Sequence, residues 1–277
     1  MPKQPQEVLA VVLTHNAPQS LSRCISGIVG QTSPPRAILV VDSASDVPVR
    51  AVDLPAGSIP VEVVRSDENV GPAGGHAIGL AEFLKTRSNR AWVMDDDIVP
   101  EPDCLAALLV DGEMMGSSTF AFPVSIQPDG TVGRWGTWCG FLIAREIVEK
   151  VGLPMSELFW WAEDTEYCQW RVPQAGFHRH IIEEARVRHD AIRQNAQVPV
   201  WKYYYESRNS LYLHFHVMHR IGRFPRSSVR LLGRAIVRER GNRMRCLGAM
   251  ARGYFDGAFS RLGKRFSLEP FHEHDLR

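Results

Sequence analysis

The feature of this sequence that most constrains its fold is residues 92–97, where an apolar run ends in three consecutive aspartates. The lead-in has the composition of a buried strand, and Asp95, Asp96 and Asp97 follow it directly. Side chains alternate between the faces of a strand, so Asp95 and Asp97 would share one face. Adjacent carboxylates repel one another, and a divalent metal ion with oxygen ligands would offset that repulsion. The alternative is a solvated acidic turn, and the rest of the chain must decide between them.

The composition predicts a globular cytoplasmic protein. The chain has 277 residues, of which 44% are hydrophobic and 23% charged, enough for one large α/β domain with an appendage or two small domains. No apolar run approaches the roughly 20 residues that a membrane span needs, and residues 1–4 lack the apolar core of a signal peptide. The five scattered cysteines form no CxxC motif, which favours reduced thiols and no zinc site.

The charge is distributed unevenly along the chain. The net charge is +1, but residues 220–265 contain 13 Lys and Arg residues and two acidic residues, a net charge of +11. The rest of the chain therefore carries −10. Arginines recur every fourth residue at Arg226, Arg230, Arg234 and Arg238, beside the apolar Val229, Leu232 and Ile236. This pattern predicts a basic amphipathic helix that faces a polyanion, either phospholipid headgroups or nucleic acid. The alternative is a helical hairpin packed on the core with a solvated basic face.

Alternating strands and helices predict a parallel α/β sheet in the first half of the chain. Apolar runs at 8–13, 37–41 and 61–64 have the composition of buried strands, and a helix is expected between the first two. The first run ends at Thr14-His15-Asn16, and the second ends at Asp42. Open α/β sheets bind their ligands at the carboxyl ends of such strands.

A glycine-rich turn follows the third strand. Residues 69–75 contain Gly71, Gly74 and Gly75 and precede a helix-like stretch. Glycines let the backbone approach a ligand, and a helix N-terminus suits an anion, although such a turn is more often only a turn. The spacing matches neither a P-loop nor a dinucleotide-binding motif.

The second half of the chain supplies aromatic and acidic candidates. Strands are expected at 120–126 and 135–143, and Trp138 in the latter suits either a sugar-binding surface or the core. Trp160 and Trp161 precede Glu163 and Asp164, which predicts a helix capped by one carboxylate while the other points into a cleft. A carboxylate in a partly dry, aromatic cleft has a raised pKa and suits a general base. The alternative is an N-cap beside a surface acid.

His189 ends an ordered series of polar groups that each follow a predicted element. A single histidine after a strand is more often structural than a metal ligand. The series as a whole, from Asp42 through the Asp triplet and Glu163-Asp164 to His189, nevertheless indicates one ligand-binding edge.

Over about residues 8–215 this order of motifs resembles a family-2 inverting glycosyltransferase of the GT-A fold. Asp95-Asp96-Asp97 is similar to that family's DxD motif, Glu163-Asp164 to its xED motif, and His189 to its later metal-ligand histidine. The segments 69–75 and 204–209 resemble bacterial rhamnosyl- and galactofuranosyltransferases that act on lipid-linked cell-envelope glycans. Two departures, His15 and a single Asp before Ser43, leave the nucleotide base and the sugar open.

The resemblance implies an α/β catalytic domain over 1–215, with a mostly parallel mixed sheet flanked by helices, and a basic helical extension over 216–277. It implies Mn²⁺ or Mg²⁺ held by Asp95, Asp97 and His189, with Asp164 as the catalytic base. The residues it implies for substrate binding are Thr14, Asn16, Asp42, Asn69, Gly74, Asp96, Trp138, Trp161, Glu163 and Arg208.

The implied partners are a UDP- or dTDP-linked sugar and a lipid-linked glycan acceptor. The implied location is the inner face of the cell membrane, with an anionic lipid surface and no nucleic acid as partner.

Two other function classes compete with this interpretation. A metal-dependent nucleotidyltransferase or phosphohydrolase would use the same carboxylates, but residues 88–103 offer only Arg90 as a phosphate ligand. A nucleic-acid-binding protein would use the basic tail, but most aromatic residues lie at 135–215, away from the arginines, which disfavours stacking on bases.

Overall fold

The structure is a computed structural model. It describes residues 8–134, 136–190, 198–220, 222, 224–237, 239 and 241–265, excluding the side chains of 111–115 and 225. Trp135, expected at the start of a strand, and Arg238, expected in the basic helix, lie outside the described residues. The chain divides into two compact units, one of residues up to 156 with 163–194, and one of 157–162 with residues from 195 onward.

The first unit is built on a nine-stranded mixed sheet. Its strands are β1 (Val8–Thr14), β2 (Ala37–Asp42), β3 (Val61–Arg65), β4 (Arg90–Asp95), β5 (Ile98–Pro100), β6 (Phe120–Ile126), β7 (Val132–Gly133), β8 (Cys139–Ala144) and β9 (His180–His189). The order is β3-β2-β1-β4-β8-β6-β9-β5, and β7 pairs with β6. The first four strands in this order are parallel, whereas β8 runs antiparallel to β4 and β6.

Helices cover both faces of this sheet. They are α1 (Pro18–Val29), α2 (Gly71–Lys85), α3 (Cys104–Met115), α4 (Arg145–Val151) and the short α5 (Val172–Gln174), and a π-helical turn spans Thr165–Arg171. Strand β1 shows why both faces are apolar, since Val8, Ala10 and Val12 pack in the core with α1 and α3, whereas its alternate residues pack in the core with α2 and α4. The predicted α/β fold with a mixed sheet flanked by helices is confirmed.

The second unit is helical. It contains α6 (Val200–Tyr212), a π-helical turn at Leu213–Val217, α7 (Phe224–Val237) and α8 (Arg243–Ala258). Its core joins three consecutive tyrosines of α6 to Leu231 and Ala235 of α7 and to Cys246 and Met250 of α8. No helix within the described ranges is both long and apolar enough to cross a membrane.

The division between the compact units differs from the sequence-based domain boundary. The sequence predicts that boundary at residue 215, yet α6 packs extensively against α8 and therefore belongs with the residues that follow it. The aromatic segment 157–162 also joins the helical unit. Our division into catalytic domain and extension stays a prediction about function. The compact units divide the chain instead at the segment 157–162 and at residue 195.

Candidate active site

Three parallel strands end together at the edge that carries the candidate site. In the register of the sheet, Thr14 of β1 lies opposite Asp42 of β2, and Leu13 lies opposite Asp95 of β4. Asp96 follows at once, and its Oδ2 accepts a hydrogen bond from the Thr14 hydroxyl at 2.5 Å. The predicted convergence of strand-end polar groups is therefore present for these residues.

The pKa of Asp96, the middle residue of the Asp triplet, is raised. Burial raises its pKa to about 7, against the lowering effect of the hydrogen bond from Thr14, and the charges of Asp97 and Asp95 raise it further. A cation beside the triplet would lower this pKa again, because it favours the charged form. A bound cation would therefore reduce the electrostatic repulsion among the three carboxylates.

Asp97 and His189 are brought together from distant parts of the chain. Strand β5 pairs with β9 so that Ile98 lies opposite His189, and the Asp97 Oδ2 is 3.2 Å from the His189 Nε2. The other ring nitrogen, Nδ1, lies 3.3 Å from the amide nitrogen of Gln127. Both members of the pair remain partly exposed, at 31% for Asp97 and 26% for His189, so a ligand can reach them.

The donor set fits a metal ion that shares its coordination with a substrate. Within the described residues, no three His, Cys, Asp or Glu side chains are grouped to hold a metal ion by themselves. Asp97 and His189 are adjacent, however, and Asp95 lies two residues away with its side chain 38% exposed. Mg²⁺ and Mn²⁺ sites that bind nucleotides often use one or two protein carboxylates, with phosphate oxygens and water as the remaining ligands.

Glu163 and Asp164 lie at the start of the π-helical turn. The Asp164 Oδ1 accepts a hydrogen bond from the Thr165 backbone N–H at 2.6 Å, as an N-cap does. Glu163 is only 7% exposed, and its buried Oε2 has no hydrogen-bond partner among the described residues. Burial raises the pKa of both carboxyls, and the charge of Asp95 adds to the effect on each.

The predicted metal ligands Asp95 and Asp97 and the predicted base Asp164 all affect the pKa of one buried thiol, that of Cys139. Burial raises the pKa of Cys139 to about 12, and the charges of Asp95, Asp97 and Asp164 all raise it, while a hydrogen bond with Thr137 lowers it. Cys139 is the first residue of β8, which pairs with β4 immediately before the triplet. Asp95 and Asp164, almost 70 positions apart in the sequence, therefore both act electrostatically on the Cys139 thiol.

Asp42 is engaged within its own turn. Its side chain is fully buried, Oδ1 accepts from the Ser45 backbone at 2.9 Å, and Oδ2 accepts from Val49 at 3.2 Å and from Arg65. Burial by itself raises the pKa of Asp42, but the bonds from Ser45, Val49 and Arg65 outweigh it, and the pKa is lowered. Asp42 thus stabilises the turn through these hydrogen bonds. Its contact with a nucleotide base stays a prediction.

His15 connects this turn to the glycine-rich turn. The amide nitrogen of Asn69 lies 3.0 Å from His15 Nε2, and His15 Nδ1 lies 2.7 Å from the Ser43 carbonyl oxygen. A carbonyl only accepts, so the arrangement assigns the proton to Nδ1. Asn16 donates to Asp46 and accepts from its backbone N–H. Three residues predicted at this edge therefore share one polar network.

The glycines of α2 serve packing more than ligand approach. A Cβ on Gly74 would lie 2.7 Å from Val70 Cβ, and one on Gly75 would lie 2.2 Å from Leu13 Cδ1. Both glycines are buried. The lack of a side chain at Gly75 lets the start of α2 pack against β1, and the lack of one at Gly74 leaves room for Val70. Gly74 as a substrate contact remains a prediction.

Trp138 is a core residue rather than an open platform. Its side chain is 3% exposed, and its ring stacks on His76 with centroids 4.0 Å apart. Tyr167 lies 6.0 Å away by the same measure. Of the two alternatives for this tryptophan, a sugar-binding surface or the core, the burial supports the core.

Arg208 is a structural residue, which corrects its prediction as a direct substrate contact. It is fully buried, and its guanidinium donates to the carbonyls of Leu158 at 2.7 Å and Gly263 at 2.5 Å and to the Asn209 side chain. It also stacks on Tyr205, with its carbon 4.8 Å from the ring centroid. The sequence pattern predicts that Arg208 contacts a substrate, but its guanidinium donates to groups inside the protein instead.

The arginine and its neighbour instead fix the segment that carries Trp161. The Asn209 amide nitrogen lies 2.7–2.9 Å from the carbonyl oxygens of Leu158, Trp160 and Trp161. Phe159, Trp161 and Ala162 have positive φ, which is unfavourable for residues with a side chain and needs such support. Trp161 is 41% exposed and stacks on Trp160. Trp161 is therefore held in an exposed position, and its predicted contact with a substrate stays a prediction.

Sequence reasoning missed His76, Arg65 and Gln127. Arg65 completes the Asp42 turn, Gln127 contacts His189, and His76 contacts Asp95. Arg65 ends a predicted strand beside Asp42 in register, which could have identified it. No local pattern distinguishes His76 or Gln127.

Part of this chain is similar in sequence to known proteins. Residues 9–111 match the family model described as Glycosyl transferase family 2. The chain is 37% identical over 95 residues to the galactofuranosyltransferase GlfT1 of Mycobacterium tuberculosis, which covers 33% of this chain and 31% of that protein. The chain thus matches less than a third of the length of this relative. The family match includes the Asp triplet and ends before Glu163, Asp164 and His189.

Solved structures extend the similarity of fold beyond that segment. Residues 1–349 of S. aureus TarS, in complex with UDP-GlcNAc, superpose with a TM-score of 0.55 at 12% identity, covering 96% of this chain and 97% of that one. GalNAc-T7 with UDP, GalNAc and Mn²⁺ gives a TM-score of 0.56 at 16% identity, covering 75% and 51%. At such low identity the likeness establishes the GT-A fold alone.

Proposed function

We propose that this chain, whose residues 9–111 match the glycosyl transferase family 2 model, is an inverting, metal-dependent glycosyltransferase of cell-envelope glycan synthesis. The donor is a nucleotide-diphosphate sugar, and the acceptor is a hydroxyl of a lipid-linked glycan. The observation that carries this proposal is the 3.2 Å contact between Asp97, which lies inside the family match, and His189, which lies outside it, beside the partly exposed carboxylate of Asp95.

The donor we propose is UDP-linked galactofuranose, with dTDP-rhamnose as the competing donor. The partial match to a galactofuranosyltransferase supports the sugar, and the nucleotides bound to TarS and GalNAc-T7 support UDP. The turns that contain Asp42, His15 and Asn69 would bind the base and ribose, and Asp96 would contact the ribose or sugar.

Asp164 is the proposed catalytic base. Its Oδ1 caps the π-helical turn, so its Oδ2 would take the proton from the acceptor hydroxyl. The acceptor oxygen forms a bond to the anomeric carbon as the bond to the diphosphate breaks, and the nucleotide diphosphate leaves with the electron pair. A single displacement from the face opposite the leaving group inverts the anomeric configuration. Glu163 would orient the acceptor.

Asp97 and His189, with Asp95, are the residues that would hold Mn²⁺ or Mg²⁺. The ion would neutralise the charge that develops on the diphosphate. An imidazole among the ligands favours Mn²⁺, since Mg²⁺ prefers oxygen. The alternative phosphohydrolase or nucleotidyltransferase activity would use the same carboxylates without the acceptor base.

A donor panel tests the proposed reaction. With Mn²⁺ present, UDP-galactofuranose should raise the thermal midpoint of the protein, because a ligand at 100 times its Kd stabilises by about 2.7 kcal/mol. UDP-glucose, dTDP-rhamnose and GDP-mannose should raise it less. EDTA should abolish the shift. Equal midpoints for all donors with saturating Mn²⁺ would contradict the proposal, and a larger shift with dTDP-rhamnose would select the competing donor.

The basic helix supports a location on the cytoplasmic face of an anionic membrane. Helix α7 packs inward through Leu231 and Ala235, while Val229 and Ile236 are exposed at 67% and 44%. Leu232 is 40% exposed on the same outer stripe, and Arg226 and Arg230 beside it are exposed as well. An outward apolar stripe flanked by arginines complements an anionic bilayer, in which the apolar side chains enter between the headgroups.

Vesicle binding tests this location. The Arg226→Gln/Arg230→Gln variant should bind phosphatidylglycerol vesicles roughly 25-fold more weakly, since each basic residue contributes about 1 kcal/mol. Val229→Ser/Ile236→Ser should also weaken binding, whereas Val52→Ser, at an exposed valine of the sheet unit, should not. Equal binding to phosphatidylglycerol and phosphatidylcholine vesicles would exclude the membrane proposal, and tighter binding to RNA than to either would favour the nucleic-acid alternative.

A further inference from the structure

His76 is a buried imidazole directly behind the first aspartate of the triplet. It lies in the first half of α2, its side chain is fully buried, and its Nε2 is 2.9 Å from the Asp95 Oδ1. Burying an imidazole among apolar groups costs free energy unless it is hydrogen-bonded. The bond to Asp95 is therefore the interaction that accounts for a histidine at this position.

The chemistry of the pair fixes the tautomer. An ionised carboxylate only accepts hydrogen bonds, so Nε2 carries the proton and donates it to Asp95. Nδ1 is buried and without a hydrogen-bond partner among the residues that the structure describes. The ring plane is fixed as well, because it lies 16° from that of Trp138 with centroids 4.0 Å apart.

The packing of α2 explains how the imidazole reaches Asp95. Leu13 of β1 lies opposite Asp95 of β4 in the sheet register. Gly75 approaches Leu13 so closely that a Cβ would lie 2.2 Å from its Cδ1. The absence of that Cβ brings the start of α2 down onto the sheet beside Asp95, and the next residue of the helix is His76.

We infer that His76 is a positioning residue that orients Asp95 toward the cation bound with the nucleotide diphosphate. Its hydrogen bond holds Oδ1 from the buried side, while the Asp95 side chain remains 38% exposed on the other. Held in this way, the carboxylate loses little rotamer freedom when it binds a cation. This inference rests on the proposed function, because it requires that a divalent ion bind at the triplet.

Three substitutions separate the hydrogen bond from the packing. His76→Phe keeps a ring against Trp138 and removes the donor. His76→Gln places an amide nitrogen the same number of bonds from Cβ as Nε2, and His76→Asn places it one bond short, at the position of the unpartnered Nδ1. Outer partners of metal ligands typically contribute 10–100-fold to metal affinity, so the Phe and Asn variants should lose that factor and the Gln variant should retain most of the affinity.

The measurement is the Kd of Mn²⁺ in the presence of saturating UDP, from the electron paramagnetic resonance signal of free Mn²⁺, with the thermal midpoint measured on each variant. A weaker Mn²⁺ affinity for His76→Phe at an unchanged midpoint, restored in His76→Gln, supports the inference. Equal Mn²⁺ affinity of the Gln and Asn variants overturns it, whether or not the Phe variant folds. If the wild-type protein binds UDP without any Mn²⁺ dependence, the proposed metal-dependent function itself fails, and the two failures are thereby distinguished.

Discussion

Asp164→Asn should lower turnover by about 10² or more while leaving donor binding intact, on the scale expected for loss of a general base. The amide is nearly isosteric, and its oxygen can still accept the Thr165 N–H that Asp164 now caps at 2.6 Å. The local fold should therefore survive, and only the capacity to accept a proton is lost. The readouts are single-turnover transfer to a synthetic lipid-linked acceptor and UDP binding by calorimetry.

The pH dependence provides a second readout for the same variant. Burial raises the pKa of Asp164 above the ordinary carboxyl value, so wild-type kcat should fall on the acid side at a higher pH than an unperturbed aspartate would give. The raised pKa also means that ionisation of Asp164 opposes folding above the pKa of the unfolded chain. The thermal midpoint of Asp164→Asn should thus equal or exceed that of the wild type at neutral pH, and the difference should vanish at lower pH.

Asp53→Asn is the matched control, because Asp53 is exposed and belongs to an ion pair with Arg50. It should leave turnover and the pH profile unchanged. Near-normal turnover in Asp164→Asn would remove Asp164 from the role of base. Loss of UDP binding together with turnover would instead indicate a structural role.

Strands β1, β2 and β4 could be predicted from sequence because they are unbroken apolar runs that are almost completely buried. Strand β1 is buried at all seven positions, as its unbroken apolar run predicts, and the polar residues that end such runs meet at one edge for a purely topological reason. Thr14 and Asp42 are neighbours because parallel strands in register end together. Pairings of this kind need no knowledge of side-chain packing.

The sequence does not reveal which side of a helix faces the core, and the predictions that depended on this could not be made correctly. Arg208 carries a charge, and sequence reasoning assigned it to a ligand, although three carbonyl and amide oxygens and the Tyr205 ring satisfy it inside the helical unit. Helix α7 has a clear apolar stripe at Val229, Leu232 and Ile236, yet that stripe faces outward. Periodicity identifies the stripe and gives no information on what covers it.

His76 shows the same limit at the level of a single contact. A histidine after two glycines has no signature of its own, and its role arises from the close approach of α2 to Leu13 and from the register that sets Leu13 beside Asp95. Both facts belong to tertiary structure. Sequence patterns identified the carboxylates that would bind a cation, and the groups that hold those carboxylates in place emerged only from the fold.

Asp97→Ala should abolish the Mn²⁺-dependent part of donor binding, because Asp97 and His189 are the two proposed metal ligands in direct contact, 3.2 Å apart. Calorimetric titration of UDP with and without Mn²⁺ should give the same weak affinity for the variant, whereas the wild type should bind more tightly with the ion. His189→Ala should have a similar effect, and the double variant should lose little more than either single one, because both side chains would act on the same ion and such effects are not additive. Glu62→Ala, at an exposed position of β3, should leave both titrations unchanged. A full Mn²⁺ response in Asp97→Ala would show that the two side chains do not share an ion, and so would losses of affinity that simply add in the double variant. The contact between His189 and Asp97 would then only connect β9 to the segment after β4.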